Sequence, residues 1–368
     1  MATVYIHIGA PKTATSTLQS VFAGNYDTFL KNGVLYPRNF RNGDAHHLLV
    51  CDLIEKYQGI RMPDVWYGQR ARGESWAALI AEIASHGSNI DSVILSSELF
   101  FGQSTSIRSM LDDVVTHLHG HEVRIIAYLR RQDQLYSSFY NQDVKGVRQW
   151  SGSAYEFYQT HQIFQQDYHS LLAVWSEVFG SKHIIVRPFE PEQWVNGDIV
   201  QDFCVAANTV PLRSGYKDSN LSLGINQLYI KRCLNKVGFD KKDNEEILRV
   251  LRKVGPEAPA EAGSYVHRAL YRHYRTEWLR ANQALSADYL NGEELFKKPL
   301  PPAEDIRVHK INKLSVAGFI KSMYHNFVAG KYPAYRTLFA RATLLAMAEQ
   351  NLWHVLEAAD RERILSWV

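Results

Sequence analysis

Cysteine is scarce: the 368-residue chain has three, Cys51, Cys204 and Cys233, far apart and without a Cys-x-x-Cys pair. An odd number so spaced gives neither a disulfide framework nor a zinc ribbon, and points to buried thiols in a reducing compartment. Long hydrophobic runs are missing too; none approaches the ~18 residues that a membrane-crossing helix needs. The first residues, Met1-Ala-Thr-Val-Tyr-Ile-His-Ile, carry no basic segment ahead of the apolar one, so a soluble cytoplasmic protein without signal peptide or anchor is expected. Nor is there an excess of one charge: 41 Lys+Arg stand against 38 Asp+Glu, a formal net charge of +3. Nucleic-acid binders usually carry a large basic excess, so no nucleic acid is expected as partner and any anion site must be local. What is present, 46% hydrophobic and 12% aromatic residues, suffices for the core of one large domain or two ordinary ones and excludes disorder.

The hydrophobic pattern alternates between short and long periods. Thr3 to Ile8 is β-branched and apolar on both parities, as in a strand buried on both faces of a parallel sheet. A loop, Gly9-Ala-Pro-Lys-Thr-Ala-Thr-Ser-Thr17, leads to Leu18, Val21, Phe22, Phe29 and Leu30 at helical spacing. A second short strand is expected at Val34 to Tyr36. Residues 38–75 are polar, Gly- and Arg-rich, and read as a lid or acceptor-binding insertion. Helices are expected at Ser75–His86, Ile107–His119, through Leu135, Phe139 and Val144, at Leu171–Phe179 and at Val195–Ala207, with strands at Ser92–Ser96, Val123–Leu129 and His183–Val186. Beyond about residue 220 the pattern is helical. Strands alternating with helices predict an α/β fold, a three-layer sandwich with a central parallel sheet, plus a helical C-terminal part. The expected division is a catalytic domain over 1–300 and a basic helical extension over 301–368.

The first loop is the most chemically explicit segment. Main-chain N–H groups at a helix start are unpaired donors with partial positive charge, so a loop wrapped around them can hold a phosphate. Lys12 adds a full charge, and Thr13, Thr15, Ser16 and Thr17 add hydroxyls. The Walker order, with Gly-Lys-Ser/Thr at the loop's end, is absent; here the lysine comes early. With its position after the first strand, Pro11-Lys12-Thr13-Ala14-Thr15-Ser16-Thr17-Leu18 resembles the Pro-Lys-Ser/Thr-Gly-Thr-Ser/Thr loop of sulfotransferases. That resemblance implies a P-loop-related fold and binding of the 5′-phosphosulfate of 3′-phosphoadenosine 5′-phosphosulfate (PAPS) by Pro11 to Thr17. Ala14 departs from the family's glycine, and is expected to be tolerated where the backbone stays at negative φ.

A second segment is similar to the same family. In Tyr128-Leu-Arg-Arg-Gln-Asp-Gln-Leu-Tyr-Ser-Ser-Phe-Tyr140, Arg130 ends a predicted strand and Ser138 follows eight residues on, before two aromatics. The resemblance implies that Arg130 and Ser138 hold the 3′-phosphate. Trp175 to Glu190 is similar to the helix, strand and Phe/Tyr-Glu turn that follow in the family, and Asn220-Leu-Ser-Leu223 is similar to a shorter family segment.

Sulfuryl transfer asks for a stabiliser of the leaving phosphate, which Lys12 supplies, and a general base for the acceptor hydroxyl or amine. Glu98 ends Val93-Ile-Leu-Ser-Ser-Glu98, at the strand edge where parallel sheets place ligands. His46 and His47, in Gly43-Asp-Ala-His-His-Leu-Leu, are the other candidates, as histidine titrates near neutrality. His117, His119 and His121 straddle Gly120 with no acidic or Cys partner in the pattern, and no metal is expected. Between 306 and 348 seven Lys/Arg (Arg307, Lys310, Lys313, Lys321, Lys331, Arg336 and Arg341) meet no Asp or Glu, while the other 34 basic residues face 38 acidic ones. This amphipathic basic stretch is expected to pack on the domain, with contact to an anionic membrane surface or glycan as the sharper alternative. The expected activity is PAPS-dependent sulfation of a hydroxyl or amine on a small-molecule or glycan acceptor, with a carbohydrate or glycolipid as first choice; a P-loop-type nucleotide kinase or other phosphotransferase and a non-catalytic adenine-nucleotide-binding module are the alternatives.

Overall fold

The computed structural model describes residues 2–102, 106–161, 167–212, 223–254, 265–306 and 311–368. Five strands, β1 (Thr3–Gly9), β2 (Val34–Leu35), β3 (Ser92–Ser96), β4 (Glu122–Leu129) and β5 (Ile184–Pro188), form an all-parallel sheet in the order β2-β3-β1-β4-β5. β1 is central, with Val4 beside Val93 and Val123, and Ile6 beside Leu95 and Ile125. Val4, Tyr5, Ile6, His7 and Ile8 are all buried, which is why its sequence is apolar on both parities.

The helices in the first part of the chain are α1 (Thr15–Gly24), α2 (Tyr26–Lys31), α3 (His47–Gln58), α4 (Asp64–Tyr67), α5 (Ser75–His86), α6 (Ile107–His117), α7 (Gln132–Lys145), α8 (Ala154–Thr160), α9 (Tyr168–Phe179) and α10 (Ile199–Ala206). Parallel crossovers are right-handed. The step from β1 to β2 runs toward one edge and the later steps run toward the other, so their helices fall on opposite faces. On one face Leu18 and Phe22 of α1, Phe29 of α2 and Phe203 of α10 pack with Tyr5, Ile94, Ile126 and Tyr128. On the other, α9 lies on β4 and β5, α6 on α9, and α3 on α5 and α6; Phe100 meets Trp175 edge-on at 5.6 Å. The α/β expectation with a central parallel sheet holds.

The segment 38–75 differs from a lid. Its middle is α3, where Leu48 to Ile54 are all buried. Asp52, inside that run, accepts from Tyr67 Oη at 2.7 Å and from Ser75 N at 3.0 Å, so a buried carboxylate is fully bonded. Arg72 pairs with Glu55 and Asp64. A segment fastened this way is part of the layer beside the sheet.

Two compact units are present, one of Met1–Gln132, Gln165–Ser219 and Tyr274–Leu300, the other of Asp133–Phe164, Asn220–His273 and Pro301–Val368. The expected division after residue 300 is therefore one of several crossings. The first unit carries the sheet. The second is helical among the described residues, with α11 (Ile225–Val237), α12 (Asn244–Val254), α14 (Lys313–Val328), α15 (Arg336–Gln350) and α16 (Ala358–Leu365); α13 (Arg268–Tyr289) precedes α14 in the chain. α14 buries Val316, Phe319, Ile320, Met323 and Phe327 and packs on α11, α12 and α15. Its apolar face is thus used inside the unit, while Lys313, Lys321, Lys331, Arg336 and Arg341 are exposed. Arg307, Lys310 and residues 220–222 lie outside the described residues. No helix of the described residues is long and apolar enough to cross a membrane. All three cysteines are buried free thiols, and burial pushes the Cys51 thiol up to about 12.

Candidate functional site

The chain leaves β1 toward the β2 edge and leaves the adjacent β4 toward the β5 edge. Such a reversal opens a crevice at the C-terminal ends of the two strands, where open α/β sheets bind ligands. The loop after β1 and Arg130 after β4 both stand there. Gly9 has φ 94, and a Cβ added to it would lie 3.1 Å from Cβ of Glu98, so glycine alone lets β1 and the segment after β3 approach this closely. Ala10 N donates to Tyr128 O at 2.7 Å, tying the loop's start to β4.

Within the loop Lys12 has φ 67 and Ala14 φ 57, with Thr13 and Thr15 outside the positive range. Left-handed residues alternating with others are the pattern from which main-chain concavities that receive anions are built. Thr13, fully buried, donates from Oγ1 to Ala10 O at 2.5 Å and holds the curl. Leu18 N donates to Ala14 O at 3.0 Å, the first helical bond of α1. Ala14 at the N-cap has no side-chain acceptor for α1 and no acidic residue stands in the first turn, so the N-terminal partial charge is not countered from within the helix. Pro11, Lys12 and Thr17 are half-buried, Thr15 is buried and Ser16 is exposed. The condition under which alanine is expected to be tolerated, a negative φ, is not met: Ala14 takes the left-handed conformation that favours glycine.

Arg130 donates from Nη1 to Lys12 O at 3.1 Å, its guanidinium carbon lies 5.4 Å from the centre of the Phe189 ring, and Tyr168 Oη donates to its carbonyl at 2.6 Å. The residue thus braces the main chain of the loop. Ser138 stands half-buried on α7 in the second unit.

The segment after β3 gathers a polar network. Gln19 of α1 donates from Nε2 to Glu98 Oε2 at 3.1 Å and to Ser96 Oγ at 3.2 Å. His47 Nδ1 lies 2.9 Å from Ser97 Oγ, and its Nε2 lies 3.8 Å from Glu98 Oε1. Burial lowers the His47 pKa, and the Glu98 carboxylate acts against that. The ring stacks on Trp66 with centres 5.8 Å apart. Both side chains keep some access to solvent, 15% for His47 and 23% for Glu98.

His46 is placed otherwise. Ser96 N can only donate, so at 3.1 Å it fixes Nδ1 of His46 as an acceptor; Nε2 then carries the proton and donates to Pro37 O at 3.0 Å. With both nitrogens occupied and burial driving its pKa to about 3, His46 has no lone pair to offer an acceptor and is a structural clamp between β3 and the turn after β2. His7, which the sequence pattern does not single out, is fully buried with Nδ1 2.9 Å from Ser96 Oγ. Its signal was a histidine in an otherwise apolar strand. Of the histidines around Gly120, His117 stacks on Trp76 at 5.1 Å and lies 3.7 Å from Asp113 Oδ1, an acidic neighbour four residues earlier, and His121 reaches Ala2 O at 3.4 Å.

No family model matches the chain, and no solved structure matches it. Over 131 residues it is 30% identical to an uncharacterized protein of Archaeoglobus fulgidus, a stretch that is 35% of each chain. The chain thus spans about a third of the length of the curated relative it matches.

Proposed function

We propose that the protein is a PAPS-dependent sulfotransferase acting on a hydroxyl or amine of a small-molecule or glycan acceptor. The observation that carries the reading is the loop at the β1–β4 crevice with Lys12 and Ala14 both left-handed, braced by Arg130 through Lys12 O. A concavity of N–H groups beside a lysine and an arginine suits a dianionic phosphate ligand. In this reading Pro11 to Thr17 take the 5′-phosphosulfate end and Arg130 the 3′-phosphate; Ser138 enters by resemblance alone. The P-loop-related sulfotransferase type of fold belongs to the same proposal.

The chain's own groups divide the work. Lys12 places positive charge where the leaving phosphate oxygen gains negative charge. Glu98, whose Cβ and Cα lie against Gly9 at the loop's start, is the base that takes the acceptor's proton, with Gln19 orienting its carboxylate and His47 beside it to share the charge. His46 leaves the set of bases for the reason given above.

Calorimetry with 3′,5′-adenosine bisphosphate, ATP and AMP tests this. A marked preference for the bisphosphate is expected. Preference for ATP would move the protein to the phosphotransferases, and binding of none of the three would sink the nucleotide reading.

A further inference from the structure

Beside the network lies a cleft of about 640 Å³, walled by Ser20, Ala23 and Gly24 of α1, by 38 and 41–44 of the turn after β2, and by Val65, Trp66, Gly68 and Arg70. Ser16, Ser20 and Ala23 fall on one face of α1 at helical spacing, so the cleft continues the line from the phosphate loop. Trp66 is the shared wall: it lines the cleft and stacks on His47.

The lining is cationic. Arg38, Arg41 and Arg70 face Asp44, the one acidic lining residue among the described residues. Arg38 lies over the Tyr26 ring at 3.5 Å and 3.6 Å from Asp27. Arg41 lies over the Tyr36 ring at 5.3 Å. Glu82 is engaged by main-chain N–H groups of Arg38 and Asn39, at 2.7 and 2.9 Å. Arg70 is exposed, and Val65 beside it is 83% exposed. Planar guanidinium groups match carboxylate, phosphate and sulfate oxygens two at a time, and an apolar wall next to them suits the body of a ring.

We propose that this cleft receives the anionic group of the acceptor, a carboxylate, phosphate or sulfate borne on a sugar ring that rests against Trp66; the inference rests on the transferase reading and narrows its acceptor to acidic sugars. Arg41 and Arg70 hold the anion, and Trp66 passes the ring's position to the His47–Glu98 pair.

The test is calorimetric titration of the full chain, saturated with 3′,5′-adenosine bisphosphate, by methyl β-D-glucuronide and by methyl β-D-glucoside, which differ in the carboxylate alone. The glucuronide is expected to bind about ten-fold tighter or more. In the Arg41→Gln/Arg70→Gln double variant this preference falls toward one while bisphosphate affinity stays unchanged, which also reports an intact fold. Glucose 6-phosphate against glucose separates phosphate from carboxylate as the favoured anion. Equal binding of the charged and neutral sugars, binding of no sugar, or a preference that survives in the double variant overturns the proposal. A chain that ignores the bisphosphate yet keeps an arginine-dependent preference leaves the cleft standing and removes the donor reading.

Discussion

Arg130 Nη1 donates to the main-chain carbonyl of Lys12 at 3.1 Å, so the residue after β4 holds the loop after β1 from across the sheet's crevice. The bond fixes the main-chain carbonyl of a residue in the left-handed region. Arg130→Ala is therefore expected to weaken 3′,5′-adenosine bisphosphate by about 2 kcal/mol or more, through both lost charge and a loosened loop. Arg130→Lys should recover little, because a point charge cannot serve the carbonyl and a phosphate together. Calorimetry on the three proteins checks this; full recovery in the lysine variant would show that charge alone matters.

Glu98→Gln keeps the Gln19 contact available through its amide oxygen and removes the base. Turnover is expected to fall by about 10²–10⁴-fold, with bisphosphate affinity nearly unchanged. His47→Ala should cost less turnover, since His47 acts beside the carboxylate. Equal, small losses for both would mean that neither takes the proton.

Ala14 tests the loop's backbone. A left-handed alanine is strained by about 1 kcal/mol, which Ala14→Gly removes, while glycine's freer unfolded chain offsets about 0.4–1 kcal/mol. Little net change in melting temperature is expected, with bisphosphate binding kept. Ala14→Val puts a β-branched side chain at φ 57 and should reduce both stability and binding.

What the sequence made legible was whatever one segment states by itself. β1, its loop and α1 were readable because a doubly buried strand, a lysine-hydroxyl loop and a helical repeat lie in 22 consecutive residues, 3–24. α3 was missed because Arg- and Gly-rich stretches flank it and Asp52 interrupts its apolar run; only Tyr67 and Ser75, distant in sequence, make that aspartate buriable. The roles of Gln19 and His7 were equally hidden. Residues 7, 19 and 96 share one hydroxyl only after the parallel sheet sets β3 beside β1. His46 and His47 are neighbours in the chain with opposite fates, because a helix start turns one ring toward Ser96 and Pro37 and the other toward Ser97 and Glu98.

The buried histidines set an acid limb to stability. His7 and His46 are both held down to about 3 by burial, against about 6.5 in the unfolded chain. Between those values the unfolded chain binds more protons, so stability is lost as pH falls from about 6.5 toward 3. At pH 5 the loss is about 2 kcal/mol per histidine as an order of magnitude. His7→Phe fills the space between Tyr128 and Phe203, where the ring makes edge contacts at 6.0 and 5.3 Å, and removes one titration. Denaturant midpoints at pH 7 and 5 should differ less in that variant than in the parent chain.

Lys231 in the second unit gives a slope on the other side of neutrality. It is buried, with Nζ donating to Val144 O at 3.3 Å and to Asn235 Oδ1 at 2.5 Å, neither of them a carboxylate that could neutralise it. Desolvation brings it down to about 7, against about 10.4 unfolded. Between these values the unfolded chain again holds more protons, so stability rises with pH from about 7 to about 10.4, and the cost of the buried charge is full below 7. Lys231→Met keeps the aliphatic stem and drops the charge. Val144 O retains its bond from Asn235 Nδ2 at 2.8 Å, so one acceptor, Asn235 Oδ1, loses its partner, at about 1 kcal/mol. The variant should be more stable than the parent at pH 6 by about 1–3 kcal/mol, and the gap should close by pH 10. Denaturant titrations at pH 6, 8 and 10 measure it. A gap that stays constant with pH would mean that the ammonium is solvated in the folded chain and that its burial costs nothing.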